Sequence, residues 1–543
     1  MHSDPVKLTR LAGEHTHRFH GGLKLRHNKK ISCQQPVSRP PLPDLFTVPL
    51  QLNSGPAADA LVFAGELVLK GQLIAASEST TEFSSQCNRI HAPTSGKVLG
   101  IEQRGIAHPS GLPGPCILIE PDGLERWCEL QACDDWNLLD QHQLAQAIRQ
   151  AGIVGLGGAV FPTHRKTESG RRAGIHTLIL NGAECEPYIS CDEMLMRECP
   201  DQIVLGAKIL QKALGAERTV IAIEDQMGAV QKALEAAIKN SGENQISLVK
   251  IPSIYPEGGE RQLIQVLTAQ EVPANGLPVD IGVVCHNVGT SAAVANAVCE
   301  GKPLIERYVT VSGNGVARPA NFLTLLGTPV RHLIENAGGY TPDSARIVVG
   351  GPMMGYSLQS DEEPIIMASN CILVLSSEDI KPPQAEMPCI RCGECARVCP
   401  AQLLPQQLHW QIRNGQHEEA QKDSLAACIE CGCCDFVCPS HIPLVEWFRY
   451  GKAEVKSISK EHEASELART RYEAREERLS RIKQQQRERI TRRKQALKGE
   501  SEQRAKVAAA IERVEQKRQL DQQGAPTDEP DLPITDSNGE HEQ

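Results

Sequence analysis

The apolar and polar positions of this chain alternate with a short period in its first quarter. Between about residues 31 and 130, apolar positions recur every second residue, as in LVFAGELVLKGQLIA around Gly65 and Gly71. IHAPTSGKVLGIE repeats the pattern after a turn. A two-residue period broken by glycine and proline predicts a module of short β-strands.

From residue 135 to about residue 300, the pattern changes to apolar runs that alternate with helical periods. Strands followed by helices predict a parallel sheet, which binds its ligands at the carboxyl ends of the strands. The predicted strands are 176–180, 218–224 and 247–251, and the predicted helices are 140–151, 198–214 and 230–240.

Four further segments follow to the end of the sequence. Residues 304–378 hold the strands RYVTVSG and ARIVVGG around the helix HLIENAG, and residues 379–450 are rich in cysteine with helical stretches between. Residues 451–523 are mostly Glu, Lys, Arg, Gln and Ala, which predicts a long charged helix. Its basic face is predicted to contact a membrane surface or a partner, or else to be solvated. Residues 524–543 are acidic and contain proline, which predicts disorder.

The first segment, residues 1–30, is polar and rich in histidine. A metal site is one interpretation, but no ligand spacing recurs there. We therefore expect a solvated polar arm or the first turns of a domain. Together with the segments described above, this predicts a multidomain α/β fold class.

Composition narrows the function classes. The 543 residues suffice for roughly three or four domains, and a formal net charge of -10 argues against a dedicated nucleic-acid-binding protein. The 20 cysteines, without a secretion signal, predict a reducing compartment in which most thiols outside a motif are buried. No run approaches the ~18 apolar residues of a spanning helix, so membrane association is predicted to be peripheral.

The strongest motif is a pair of cysteine runs, CIRCGECARVCP and CIECGCCDFVCP. Each has the spacing with which bacterial ferredoxins hold [4Fe–4S] clusters, where the fourth cysteine of one run ligates the other cluster. Zinc would favour two separated cysteine pairs, and a disulfide framework is typical of small secreted domains. Cys433 falls outside the spacing. The predicted ligand sets are Cys389, Cys392, Cys395 and Cys438 for one cluster, and Cys428, Cys431, Cys434 and Cys399 for the other.

A second candidate site combines a glycine-rich loop with an acidic one. AGIVGLGGAVFPTHRK brings several glycines and Lys166 together, which suits a phosphate, although such a loop is also an ordinary turn. HTLILNGAECEPYISCDEMLM follows a predicted strand with Asn181, Glu184 and Glu186. Carboxylates beside a phosphate site suit the hydroxyls of a flavin and of NADH, whereas a solvated turn is the alternative interpretation.

These residues carry a family resemblance. GLGGAVFPTHRK and NGAECEP resemble the flavin-binding motifs of the 51-kDa-type NADH dehydrogenase subunit of respiratory complex I, and IYPEGGERQLI and VVCHNVGTSAAV resemble two further segments of it. From about Phe19 to Lys452, the chain resembles the C-subunit family of Rnf-type (Rsx-type) electron transport complexes. The resemblance implies a barrel-sandwich (biotinyl/lipoyl-like) module (31–130), an FMN- and NADH-binding α/β domain (135–300), an SLBB-like β-grasp domain (304–378) and a ferredoxin-like domain with two [4Fe–4S] clusters (379–450). Composition adds a polar arm (1–30), a charged helical tail (451–523) and a disordered tail (524–543).

The resemblance also implies roles for single residues. The flavin is FMN, bound non-covalently, and NAD(H) binds beside it. Glu184 and Glu186 are the implied catalytic residues, with Glu186 towards the nicotinamide. The hairpin SESTTEFSSQCN lacks the lysine of carrier modules, so an inert β module is expected. The implied cofactor-binding residues are Gly155, Gly157, Gly158, Lys166, Asn181, Glu184, Tyr255, Gly258, Glu260, Asn287 and Thr290.

The chain departs from the complex I pattern at four positions, Val160, Ala183, Gly259 and His286. The function implied by the resemblance is that of a peripheral subunit on the cytoplasmic face of the bacterial inner membrane. It would pass electrons between NAD(H), a flavin and two clusters, in a complex coupled to ion movement or to keeping a redox-sensing transcription factor reduced. Integral-membrane and iron–sulfur subunits are the implied partners, with a ferredoxin or flavodoxin-type carrier as a further one and no nucleic acid.

Two other functions agree with the same motifs. One is a soluble NADH diaphorase subunit that serves a cobalamin reductase or a hydrogenase. The other is a non-enzymatic scaffold whose flavin site has decayed, an interpretation that rests on Val160, Ala183 and Gly259.

Overall fold

The structure is a computed structural model, which describes residues 16–51, 57–77, 89–274, 276–380, 382 and 384–521. Most of the predicted hairpin SESTTEFSSQCN, the first half of the polar arm and the predicted disordered tail lie outside the described residues. The chain divides into two units, residues 1–455 and 456–543, and each is described by itself.

The first β module consists of two small antiparallel sheets, with strand orders β1-β7-β6-β3 and β2-β4-β5. Their inward side chains form one core, in which Phe46, Ile74, Ile117 and Ile119 have no exposed surface. The predicted barrel-sandwich character is confirmed. The strands are β1 (Phe46–Pro49), β2 (Asp59–Ala60), β3 (Leu67–Val68), β4 (Leu73–Ala76), β5 (Arg89–His91), β6 (Gly96–Gly105) and β7 (Pro113–Pro121).

The central α/β domain is built on a parallel sheet of order β10-β9-β8-β11, as predicted. Because both faces of a parallel sheet are covered by helices, the middle parts of its inner strands are apolar and buried. Leu178 and Leu180 face one core, and Ile179 between them faces the other. The elements are α1 (Gln141–Gln150), α2 (Thr163–Ala173), β8 (Thr177–Gly182), α3 (Cys191–Glu198), α4 (Pro200–Leu214), β9 (Arg218–Glu224), α5 (Gly228–Ser241), β10 (Ile246–Ile251), α6 (Glu260–Thr268), β11 (Val283–Asn287) and α7 (Val288–Cys299).

A five-stranded sheet of order β13-β12-β16-β14-β15 follows. Strand β16 runs parallel to β12, and the other pairs are antiparallel, which agrees with the predicted β-grasp domain. The helix of this domain packs Val330, Leu333 and Ile334 onto the sheet. The elements are β12 (Glu306–Ser312), β13 (Ala320–Leu325), α8 (Val330–Asn336), β14 (Ser344–Val349), β15 (Tyr356–Ser357) and β16 (Cys371–Ser376).

The cysteine-rich domain is helical, as predicted, and it leads into the long helix of the tail. Leu444, Val445 and Phe448 at the beginning of that helix are buried against Leu408 and Ile412. Within the described part of the chain, no helix combines the length and the apolar character needed to cross a bilayer. The helices are α9 (Glu394–Val398), α10 (Pro405–Arg413), α11 (His417–Lys422), α12 (Cys433–Phe436) and α13 (Leu444–Asp521).

Residues 16–30, which we call the N-terminal strap, pack against the rest of the first unit. For this described half of the polar arm, the packing agrees with the first turns of a domain and not with a solvated arm. The backbone of Leu23 pairs with that of Tyr255 in an antiparallel bridge, and Gly22 N donates to the carbonyl oxygen of Val398 over 3.0 Å. The N-terminal strap therefore connects the central domain with the cysteine-rich domain.

Candidate functional site

Two predicted cofactor residues end neighbouring strands. Asn181 of β8 lies opposite Asn287 of β11 in the register of the parallel sheet, so both side chains emerge at its carboxyl edge. Asn181 donates to the carbonyl oxygen of Gly258 over 2.8 Å and accepts from Ala183 N over 3.0 Å. A Cβ at Gly258 would stand 2.8 Å from the Ala183 oxygen, so only glycine allows this close approach. The fold thus brings together Asn181, Gly258 and Asn287, which lie far apart in the sequence.

The glycine-rich loop lies over the beginning of α7. Leu156 N donates to Thr290 Oγ1 over 2.9 Å, and a Cβ at Gly157 would lie 3.4 Å from Asn287 Cβ. Gly158 has a φ of 101°, and no atom stands within 4 Å of the position of its missing Cβ. The loop therefore rests against Asn287 and Thr290 on one side and leaves space on the other.

Lys166 reaches this edge of the sheet from α2. Its ammonium donates to Glu260 Oε1 over 2.6 Å and to the carbonyl oxygen of Cys285 over 3.0 Å. The lysine side chain is 31% exposed, so it is positioned without being enclosed. An open glycine loop with a partly exposed cation beside it fits the phosphate of a flavin mononucleotide.

Glu184 is a buried carboxylate with a full set of partners. It accepts from Asp192 N over 2.9 Å and from Glu193 N over 3.3 Å, both at the beginning of α3. Burial raises the pKa of this carboxyl, which Lys29 counteracts. The side chain of Glu184 is therefore held by the protein on several sides, and the sequence prediction of a catalytic role stays a prediction.

Lys29 of the N-terminal strap supplies the cation. Its ammonium donates to the carbonyl oxygen of Glu184 and lies 3.6 Å from Glu184 Oε2 and 3.9 Å from Glu224 Oε2. Burial by itself would lower the pKa of Lys29, but Glu184 and Glu224 raise it above its usual value. Lys29 is therefore a charged residue inside the protein, and it holds two carboxylates in place.

Lys29 is a site residue that no sequence pattern indicates. It precedes its partner Glu184 by 155 positions, and no local motif surrounds it. Its neighbour Lys30 is exposed, so the two adjacent lysines look alike in the sequence and differ only in the folded chain.

Glu186 is covered by the β-grasp domain. Its carboxylate accepts from Met354 N over 2.8 Å and from Met353 N over 3.2 Å, in the turn after β14. A Cβ at Gly351 would lie 2.2 Å from Glu186 Oε2, so the turn approaches the carboxylate as closely as glycine permits. Burial raises the pKa of Glu186 to about 7, which the two backbone N–H groups partly oppose. The group predicted to face a nicotinamide thus also fixes a neighbouring domain.

Tyr255 connects the central domain to the cysteine-rich domain. Its hydroxyl donates to the carbonyl oxygen of Cys431 over 2.6 Å, and its side chain is 2% exposed. Burial raises the pKa of this phenol well above its usual value, so the hydroxyl keeps its proton. His20 Nδ1 of the N-terminal strap lies 3.0 Å from the carbonyl oxygen of Cys399 in the same region.

The eight motif cysteines gather around two cavities. The turns that carry them repeat their geometry, with left-handed residues at Arg391 and Gly393 in one run and at Glu430 and Gly432 in the other. The two turns therefore have the same local backbone geometry, and the cysteines of each turn line one cavity, which suits a cubane cluster. The first cavity is lined by Cys389, Cys392, Cys395 and Cys438, and the second by Cys399, Cys428, Cys431 and Cys434 together with Cys433.

The two cavities differ in exposure. Cys389 and Cys392 of the first are exposed, whereas Cys399, Cys431 and Cys434 of the second are buried. The second cavity is also the one next to Tyr255 and His20. The central domain is therefore in direct contact with the turns of the second cysteine group.

Comparison with known protein families identifies four segments of the chain. They match the RnfC barrel sandwich hybrid domain at residues 17–124, the Nuo51 FMN-binding domain at 148–296, the SLBB domain at 308–357 and a 4Fe-4S dicluster domain at 388–443. The second and fourth matches support FMN and [4Fe–4S] clusters as the cofactors, in agreement with the open glycine loop and the two cysteine groups.

The chain is similar over most of its length to curated bacterial proteins. A protein of Pectobacterium atrosepticum, named as the C subunit of an ion-translocating oxidoreductase complex, is 44% identical over 500 residues, which are 92% of this chain and 70% of the relative. A protein of the same name from Pseudomonas aeruginosa is 47% identical over 465 residues, which are 86% of this chain. The matched region spans 59% of the length of that relative.

Among solved structures, the chain matches the crystal structure of an NAD+-reducing [NiFe]-hydrogenase in the H2-reduced state. That protein is 19% identical, with a TM-score of 0.43, and the match covers 56% of this chain and 61% of that chain.

Proposed function

This chain belongs to the family of C subunits of ion-translocating oxidoreductase complexes, and from this membership we propose its function. We assign to it the passage of electrons between NAD(H), a flavin and two [4Fe–4S] clusters within a membrane-bound complex of the ferredoxin:NAD oxidoreductase type. When bound, FMN exchanges electron pairs with a nicotinamide and single electrons with iron–sulfur centres.

The observation that carries this proposal is the hydrogen bond from Tyr255 to Cys431. It joins a residue beside the predicted flavin pocket to a predicted cluster ligand without an intervening segment. Electron transfer between two cofactors is favoured when the protein holds their binding sites close together. Tyr255, which is buried and hydrogen-bonded, provides such a connection.

The residues of the pocket have separate tasks in this proposal. Lys166 and the glycine loop bind the flavin phosphate, and Asn181 and Asn287 orient the flavin at the carboxyl edge of the sheet. Glu184 is held by Lys29 and accepts hydrogen bonds from the backbone at the beginning of α3. Glu186 stands where a nicotinamide is predicted to arrive, and its carboxyl is suited to hold a proton near neutral pH.

The partners and location are part of the same proposal. We assign the chain to the cytoplasmic face of the bacterial inner membrane as a peripheral subunit, with integral-membrane and iron–sulfur subunits as partners. A ferredoxin or flavodoxin-type carrier would exchange electrons with the complex. That the complex keeps a redox-sensing transcription factor reduced stays a prediction of the family resemblance.

An anaerobic titration of the purified chain tests the electron route. Iron, sulfide and FMN are first determined, and about eight irons per chain are expected from two cubanes. NADH is then added while the flavin absorbance and the cluster signals in electron paramagnetic resonance are followed. We expect the flavin to bleach and the clusters to be reduced. If the chain retains flavin and iron but does not respond to NADH, the NAD(H) part of the proposal is wrong. If the chain binds no flavin, the entire proposed electron route is wrong.

A second measurement separates the complex subunit from a soluble diaphorase. The chain is expressed with the other subunits of the complex, and membranes are collected and washed with salt and with alkali. A complex subunit is expected to sediment with the membranes and to be released by the washes, whereas a soluble diaphorase stays in the supernatant.

A further inference from the structure

The second unit of the chain contains a strongly basic stretch of helix. Every residue of α13 from Lys460 to Ala508 is exposed. Between residues 478 and 498, nine arginine and lysine residues stand against one acidic residue, Glu488. A stretch with this imbalance, which we call the basic segment (residues 478–498), attracts polyanions over a distance comparable with the Debye length.

The basic segment also has an apolar line. With about 100° of rotation per residue in an α-helix, four large apolar residues fall within an arc of about 80°. They are Leu479, Ile482, Ile490 and Leu497, with exposed fractions of 37%, 42%, 56% and 58%. Arg493 falls within the same arc, where its aliphatic stem can lie along the line while its guanidinium reaches outward. Large apolar side chains are seldom collected on one side of an exposed helix unless that side is covered by a partner.

The other charges are arranged around that line. Lys483, Arg487 and Lys494 follow one edge of it, and Arg478 and Arg489 follow the other. The single acidic residue of the segment lies on the opposite side of the helix, about 180° from the line. An apolar line between two cationic edges is the pattern of helices that lie in the surface of an anionic bilayer, where long basic side chains reach the phosphate groups.

We propose that the basic segment binds the anionic phospholipid surface of a membrane, with its apolar line towards the acyl chains. A nucleic acid would bind the basic side chains but would not cover the leucine and isoleucine side chains between them. A second copy of the helix would oppose one basic segment to another, which like charges disfavour. This proposal does not depend on the electron route proposed above.

The test is co-sedimentation of the full chain with vesicles. The probes are vesicles of phosphatidylcholine alone and of phosphatidylcholine mixed with phosphatidylglycerol. One variant carries Arg489→Gln, Arg492→Gln, Arg493→Gln and Lys494→Gln, and glutamine preserves the helix propensity of this exposed surface. The matched control removes the same number of charges from the same helix, where glutamates balance them: Arg504→Gln, Lys506→Gln, Arg513→Gln and Lys517→Gln.

We expect binding to the vesicles with phosphatidylglycerol and little to phosphatidylcholine alone. The variant should lower the partition coefficient at least about tenfold and the control less than about twofold. The double variant Ile490→Gln, Leu497→Gln should also lower the partition coefficient, although its net charge is unchanged. Equal binding to both vesicle types, no binding, or an equal loss in the control would overturn the proposal. So would tighter binding to a nucleic-acid duplex than to the anionic vesicles.

Discussion

The hydroxyl of Tyr255 lies 2.6 Å from the carbonyl oxygen of Cys431 and donates to it, although 176 residues separate the two in the sequence. Cys431 lies in the turn whose neighbouring residue Gly432 approaches Met353 of the β-grasp domain. Three domains therefore meet at one peptide group next to a predicted cluster. The polarity of that peptide group depends on the tyrosine.

Replacing Tyr255 by phenylalanine removes this hydrogen bond without removing the ring. The O–H dipole draws electron density from the Cys431 peptide, so its loss should lower the reduction potential of the cluster in the second cavity. A hydrogen bond worth about 1 kcal/mol corresponds to a shift of a few tens of millivolts. A redox titration followed by electron paramagnetic resonance measures both clusters. Tyr472→Phe on the exposed part of α13 is the control, and equal shifts of both clusters would contradict the prediction.

Lys29→Met should destabilise the protein more than any other lysine substitution in the N-terminal strap. It leaves the buried carboxylates of Glu184 and Glu224 without their cation, and breaking a buried ion pair from one side costs about 3–5 kcal/mol. Denaturant unfolding gives the free-energy difference. Lys30→Met is the matched control, since Lys30 is exposed, and a change below about 0.5 kcal/mol is expected for it. Similar losses in both variants would show that Lys29 has no special role.

The stability of the protein should fall as the pH rises from about 4.5 to about 7, in part because of Glu186. Burial raises the pKa of its carboxyl from 4.5 to about 7 in the folded chain, so the folded state binds more protons than the unfolded state in this window. Its contribution is lost as the pH rises through the folded pKa.

Glu186→Gln should therefore flatten this part of the pH profile. The single amide oxygen can still accept from one of the two N–H groups, Met353 N or Met354 N, and no charge has to be buried. The gain in unfolding free energy at pH 8 is expected to be up to about 3 kcal/mol, with almost none at pH 4.5. Glu217→Gln, at an exposed position, serves as the control. A variant with the slope of the parent protein would exclude Glu186 as its source.

Lys166→Ala should weaken the binding of FMN. The ammonium is held by Glu260 and by the carbonyl oxygen of Cys285 and is partly exposed, and a cation near a phosphate contributes about 1–3 kcal/mol. Fluorescence titration of the flavin-depleted chain gives the dissociation constant, which is expected to rise about tenfold or more. Lys239→Ala, exposed on α5, should leave it unchanged. Unchanged affinity in Lys166→Ala would remove this residue from the site.

Three substitutions test whether the fourth cysteine of each run ligates the cluster of the other run. Cys399→Ser and Cys428→Ser should both remove the same cluster signal, because the two residues line the second cavity, whereas Cys389→Ser should remove the other signal. Each variant should lose up to half of the iron. Cys433→Ala should retain both signals. If Cys399→Ser and Cys389→Ser affected the same signal, the ligand sets would follow the order of the sequence and not the crossed arrangement.

The sequence by itself determined the features that depend on neighbouring residues. Cysteine spacing defines two turns of repeated geometry, a two-residue period marks the β module, and apolar runs between helices mark the parallel sheet of the central domain. In each case the pattern is formed by residues that are close in the sequence, so their spacing is sufficient to predict the local structure. The glycines of residues 155–158 belong to the same class, because their conformational freedom is a local property.

Only the tertiary structure decided which side chains meet across domains. Lys29 reaches Glu184 across 155 residues, Tyr255 reaches Cys431 across 176, and Glu186 meets Met354 across 168. None of these pairs has a periodic or spacing signal, since they arise where separately folded elements come into contact. The energies of these contacts depend on burial, because burial strengthens the interaction between charges and the hydrogen bonds. A linear sequence does not specify which residues are buried.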